Sequence, residues 1–254
     1  MSNWGKIIRI ISIVPVTFLF SLNSLISDKH DISVGSMLTY RIFEQVTDDT
    51  SKAFLLVLSN ILYLVLFNIF FGNMISEDFR FNSVYLFSRL KDRRVWFYKR
   101  AFEIVMISSV YTVLFLGSNI LVCMFCSTRK IEIYDLKIFL ILFALITMIL
   151  AITTIIINLI SIRLGSTTAF ITVYICVVML IFLSTKHKSI PILGKYYYAR
   201  VLNPLSGIVL NLSDNQFAQC LVIFYYFVLV TLTFVLGGKY VNNADIALVD
   251  GESI

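Results

Sequence analysis

Six long apolar runs, set apart by polar intervals, dominate this chain: 7–26, 53–75, 101–126, 137–160, 167–184 and 217–237. A helix rises about 1.5 Å per residue, so crossing a hydrocarbon layer about 30 Å thick takes about 20 residues. Each run is therefore expected to form one membrane-spanning helix. The clearest are 53–75, 137–160 and 217–237. Arg9, Pro15, Ser21 and Asn23 interrupt the first run, and the fifth is short unless Ile162 or Ser166 extends it. The expected fold is an all-α membrane protein, a single transmembrane domain over 1–254 with six transmembrane helices. No linker, internal repeat or second domain is evident.

Composition supports that reading. Of 254 residues 59% are hydrophobic, 15% aromatic and only 14% charged. A soluble domain carries roughly 25% charged residues, so this chain cannot cover a soluble surface. The net charge of +6 is spread over separate loops, which fits the orientation of a membrane protein rather than a nucleic-acid partner. The opening MSNWGKIIRI and its apolar sequel lack an A-x-A-like cleavage site before Asp28, so the first run is read as a retained span. The four cysteines do not form a disulfide framework. Cys123 and Cys126 make a C-x-x-C inside an apolar run and read as small core residues, not as a metal or redox site.

Density of basic residues sets the orientation. With both termini inside, the inner segments hold 11 Lys/Arg and the outer loops 10, which decides nothing. The interval 76–100, however, packs seven of them: Arg80, Arg89, Lys91, Arg93, Arg94, Lys99 and Arg100. The interval 27–52 holds three, with five acids. A short, densely basic loop marks the cytoplasmic side, giving an N-in, C-in topology. On the outer side, VLNPLSGIVLNL is apolar, too short to cross, and broken by Pro204 and Gly207. It reads either as a re-entrant segment before the sixth span or as an interfacial loop, with Tyr196, Tyr197 and Tyr198 suited to the headgroup layer.

Several chemistries lack their residues. Charged groups inside the six runs are Arg9, Glu103 and Lys137, each near an end, so a proton-coupled carrier with a mid-membrane carboxylate is not expected. Only two histidines occur, His30 and His187. H-E-x-x-H, G-x-S-x-G and G-x-x-x-x-G-K-[ST] are absent, so no catalytic, metal or ATP-binding residue is assigned. Asn60, Asn68, Asn119 and Asn158 have two readings: hydrogen bonds between helices, or the polar lining of a substrate path.

The basic interval reads either as a topogenic cluster that only touches anionic lipid or, because apolar residues interleave its charges, as a helical surface element. Ser83 is placed to cap a surface helix along which Val84, Phe87 and Leu90 recur near a helical period. Arg89 and Arg93 are spaced to project together. Asp92 is placed to cap a second helix, VWFYKRAFE, that turns into the third span. Trp96, Phe97 and Tyr98 are expected at the lipid boundary of this elbow, with Lys99 and Arg100 reaching phosphates. Glu77 and Asp78 end the second span with acidic groups available to these basics.

This layout, with S-R-x-x-x-R-R-x-W-x-x-K-R between spans 2 and 3 and a Pro-broken segment before span 6, resembles the permeases of type-2 ABC exporters. The stretch YLFSRLKDRRVWFYKR is similar to the small bacterial permeases of bacitracin, lantibiotic and bacteriocin self-protection systems. That resemblance implies a second permease subunit, the same chain or a sister, and two separate ABC ATPase subunits that hold ATP and Mg. It implies that Ser88, Arg89, Arg93 and Arg94 lie in an amphipathic coupling helix that enters a cleft of the ATPase, with Glu77 at its approach. The family's usual Pro before the Ser-Arg pair is replaced here by Leu86 and Phe87. The expected function is ATP-driven export of an amphipathic or lipid-like substrate, such as an antimicrobial peptide, across a bacterial cell membrane. The alternative is a non-transporting immunity or sensor protein that binds a peptide or signalling partner through its outer loops. An intramembrane enzyme lacks its side chains.

Overall fold

The computed structural model describes Pro15 and residues 50–79, 92–126, 133–186 and 216–243. Five helices account for nearly all of these: α1 (Thr50–Phe71), α2 (Arg93–Cys126), α3 (Ile133–Leu164), α4 (Ser166–Lys186) and α5 (Gln216–Asn243). No described residue lies in a strand. Among the described residues, four stretches are long and apolar enough to cross a membrane: Ile61–Phe79, Arg93–Leu121, Leu136–Leu164 and Val222–Asn243. α4 is a shorter apolar helix along Ser166–Met179. The expected first span, the surface helix from Ser83, and the segment with Pro204 and Gly207 lie outside the described residues.

Two element boundaries differ from the sequence expectation. The second span is not continuous: α1 stops at Phe71, Gly72 and Asn73 form a turn, and a short helical segment, 74–79, follows. The third span is also longer than 101–126: α2 starts at Arg93 and runs unbroken for 34 residues, so the elbow and the span are one helix. Asp92 Oδ1 accepts the N–H of Arg94 at 2.9 Å, the expected cap, and Gly117 is the first helix-weakening residue after it. A helix of that length covers about 50 Å, more than the roughly 30 Å needed to cross a hydrocarbon layer along its normal.

α3 is the centre of the bundle and touches each of the other four helices. Its Leu142, Ile146, Ile149, Leu150 and Ile155 are almost fully buried. α1 and α3 run in the same direction, because Asn68 meets Thr154, and Ser76 meets Ser161. α2 runs opposite to α1: Tyr111 meets Tyr63, and Arg100 meets Asp78. At the far end of α3, Gly165 takes the left-handed conformation (φ 82°) that an L side chain rarely adopts. Its N–H bonds the Ser161 carbonyl at 3.2 Å, which ends α3 and lets α4 begin one residue later.

The exterior is apolar where a soluble protein would be polar. Phe102, Met106 and Val110 on α2, Ile171 and Ile175 on α4, and Phe224, Phe227 and Leu236 on α5 face outward. Asn68, Ser108, Thr112, Thr154 and Asn158 are inside. This distribution suits hydrocarbon as the solvent and marks a membrane protein.

Small residues allow α5 to approach α2. A Cβ on Gly237 would collide with the Phe97 ring and sit 3.1 Å from Leu159 Cδ1; one on Gly238 would lie 2.6 Å from Tyr98 Oη. Gly117 has open space around it. Gly237→Ala is expected to destabilise the bundle by about 1–3 kcal/mol, as overpacking does. Gly117→Ala is expected to be neutral or stabilising by up to about 1 kcal/mol. Thermal unfolding in detergent reads both variants.

Candidate functional site

Two groups of residues carry the chemistry of the described bundle: a polar seam inside it and a charged end. The seam begins with Asn68, which is 2% exposed. Its Nδ2 donates to Tyr174 Oη at 2.9 Å and to Thr153 Oγ1 at 3.3 Å. Its Oδ1 accepts from Thr154 Oγ1 at 2.6 Å. One side chain thus joins α1, α3 and α4. In hydrocarbon an unpaired amide has no water to fall back on, so a buried Asn must find such partners within the protein.

Asn158, one turn further along α3, acts on the α1 break. In a continuous helix Ile75 would donate to the Phe71 carbonyl. Here Asn158 Oδ1 accepts the N–H of Ile75 at 2.7 Å and of Ser76 at 3.2 Å. Asn158 Nδ2 donates to the carbonyls of Thr154 at 2.8 Å and Phe71 at 3.4 Å. The carboxamide stands between a carbonyl and an N–H that would otherwise bond each other. A side chain inserted in the helix ladder is a recognised cause of a kink. Two serines extend the seam: Ser161 Oγ donates to Ser76 Oγ at 3.2 Å, and Ser76 Oγ donates to the Asn73 carbonyl at 3.1 Å.

Of the four asparagines expected on a substrate path, Asn68 and Asn158 are therefore enclosed and hydrogen-bonded between helices. Asn119 is 7% exposed and donates to the Phe115 carbonyl of its own helix at 2.7 Å. Asn60 lies in α1, and its side chain falls outside the described residues. Tyr63 Oη and Thr147 Oγ1 are buried without a hydrogen-bond partner among the described residues.

The charged end gathers segment 74–79, the start of α2, the end of α3 and the end of α5. Arg100 holds it together. Its guanidinium pairs with Asp78 at 2.7 Å and with Glu103 at 2.6 Å, all three side chains a quarter to a third exposed. Phe79 packs 6.4 Å from Trp96, ring centre to ring centre. The two ends of the interval 80–91 are thus tied by an ion pair and an aromatic contact. Arg163 lies 5.0 Å over the Tyr240 ring, joining α3 to α5 at the same end.

Glu77 is exposed on the 74–79 segment, and Arg94 and Lys99 are exposed on α2. Ser88, Arg89, Pro204 and Gly207 lie outside the described residues. Trp96 and Phe97 differ from their expected placement at the lipid boundary. They are 7% and 0% exposed and pack with Ile75, Phe79, Ala101, Ile104, Ile155, Ile162 and Val241. The aromatic cluster glues the helix ends together, and only Tyr98 keeps substantial exposure. Sequence reasoning passed over Ser76, Ser161 and Tyr174. The available signal was Gly72-Asn73, a turn-forming pair inside an apolar run.

Among the described residues no three His, Cys, Asp or Glu side chains cluster as a metal site would require. Comparison with protein-family models, with curated proteins and with solved structures finds no match.

The Asp78–Arg100 pair is partly exposed, so its contribution is expected at about 0.2–1 kcal/mol, lower in high salt. A double-mutant cycle of Asp78→Asn with Arg100→Gln, read by thermal unfolding at two salt concentrations, measures it. Asn68→Leu, which removes hydrogen bonds to two other helices, is expected to cost more, about 1–2 kcal/mol.

Proposed function

We propose that this chain is the permease subunit of an ATP-driven exporter in a bacterial cell membrane, energised by separate ABC ATPase subunits. The observation that carries the reading is the construction of the charged end. Asp78–Arg100 and Phe79–Trp96 clamp the two sides of the basic interval 80–91 to each other. A force applied to that interval therefore reaches segment 74–79 and α2 together. Arg93 and Arg94 form the first turn of α2, so a push there bears directly on a 34-residue helix.

Electrostatics supports a docking role for this end. A helix N-terminus carries partial positive charge, and cations there oppose it by about 0.3–1 kcal/mol each. α2 nevertheless opens on two arginines with no acid in its first turn, and the Asp92 carboxylate that caps it offsets only part of that cost. An anionic partner surface would offset that cost, and so would the demand for positive charge on the cytoplasmic side. In this reading Ser88, Arg89, Arg93 and Arg94 engage the ATPase, with Glu77 at the approach. ATP-driven closure of two ATPases, which hold the ATP and Mg, tilts the helices and alternately opens a path between two permease subunits. The cargo is amphipathic or lipid-like, such as an antimicrobial peptide. Both termini lie inside.

A second reading draws on the polar seam. Asn68 and Asn158 are engaged in bonds between helices, and a bundle knit in this way also suits a non-transporting immunity or sensor protein that works through its outer loops.

Arg89→Glu combined with Arg93→Glu separates the two. The permease reading expects an ATPase partner to co-purify with the native chain and to be lost from the double variant, with membrane insertion unchanged. Unchanged co-purification, or no nucleotide-hydrolysing companion with either chain, contradicts it.

A further inference from the structure

We propose that the α1 break is a hinge with two hydrogen-bonded states, switched by the Asn158 carboxamide. This deepens the lever reading above and takes its purpose from it, but its test does not depend on an ATPase.

The chemistry allows a second state because Phe71 O and the N–H groups of Ile75 and Ser76 each have a second partner within reach. In the observed state Phe71 O accepts from Asn158 Nδ2, while the N–H groups of Ile75 and Ser76 donate to Asn158 Oδ1. In a straightened α1 Ile75 donates to Phe71 O and Ser76 to Gly72 O, the ordinary i→i−4 pattern. Asn158 then keeps its bond to Thr154 O and has the Ser76–Ser161 hydroxyl pair beside it. The N–H groups of Ile75 and Ser76 are bonded in both states, and straightening requires the Ser76 or Ser161 hydroxyl to turn its proton to the released Asn158 Oδ1. A primary amide is suited to this insertion because it offers a donor and an acceptor together, as a peptide unit does.

Gly72 independently points to the same segment. A Cβ there would collide with the Asn68 carbonyl oxygen in the observed state. An ordinary α-helical turn accepts alanine without such a clash. The residue is buried, and its N–H bonds Asn68 O at 2.7 Å, so the glycine sits at the last turn before the break. Beyond it, segment 74–79 ends at Asp78 and Phe79, the two residues clamped to α2. A change of angle at Gly72–Asn73 moves that clamp, and the clamp holds the basic interval.

The test places spin labels at Glu77→Cys and Leu164→Cys, both exposed, in the full chain with its four native cysteines replaced by alanine and reconstituted in lipid nanodiscs. Asn158→Leu and Gly72→Ala are each introduced into that background. Both are expected to shift the label-to-label distance by several ångströms in the same direction, and to slow hydrogen exchange at the Ile75 and Ser76 amides as these join the helix ladder. A folded variant with unchanged distance overturns the proposal. If only one variant accumulates folded, that one decides. If neither does, the kink is obligatory and the hinge is overturned as well. Shifted distances together with unaltered ATPase binding by the Arg89→Glu, Arg93→Glu chain keep the hinge and remove the lever. Unmoved distances with ATPase lost from that chain do the reverse.

Discussion

A backbone amide in hydrocarbon has no water to bond, and the whole bundle answers to that constraint. Its sharpest expression is the break after Phe71. A helix cannot be interrupted inside a membrane unless something replaces the missing bonds, and here one side chain from α3 supplies both a donor and an acceptor. The residues around Asn158 follow from this. α3 lies at the centre, where it can reach α1. Asn68 and Tyr174 fix α1 and α4 at the neighbouring level, and the Ser76–Ser161 pair continues the seam toward the charged end.

Packing and charge then divide the remaining work. Gly237 and Gly238 bring α5 against the Phe97 and Tyr98 rings, which closes the bundle at the end where charges collect. There Arg100 satisfies two carboxylates, and Phe79 with Trp96 forms an apolar floor beneath them. The long α2 carries Arg93, Arg94 and Arg100 near its start, at the same end of the bundle as Asp78. The seam and the charged end are mechanically continuous, because segment 74–79 belongs to both.

Much of this was legible in the residues, and what was not has physical causes. Helices over 53–75, 101–126, 137–160, 167–184 and 217–237 could be placed because an apolar run long enough to cross has few alternatives in lipid. The Asp92 cap was readable because capping is local. The interruption at Gly72–Asn73 does not stand out in the sequence: a span of apolar residues looks continuous, and the partner that makes the break tolerable lies 83 residues away from Ile75. Trp96 and Phe97 read as lipid-boundary residues because aromatic residues beside Lys and Arg commonly sit in the headgroup layer. Which side of a helix faces protein depends on neighbours that periodicity alone does not identify. The two readings of the asparagines could not be separated from sequence, since a hydrogen-bonded Asn between helices and one lining a path occupy the same kinds of position.

Everything proposed for function assumes that the end bearing Arg93, Arg94, Lys99 and Arg100 faces the cell interior. The most direct measurement is labelling of intact cells with a membrane-impermeant thiol reagent, using single cysteines at Lys99 and at Lys137 in a chain whose native cysteines are replaced. The account predicts that the cysteine at position 137 is labelled and that the one at 99 reacts only after the cells are opened. Labelling at 99 in intact cells, with 137 protected, would place the charged end outside and contradict the account.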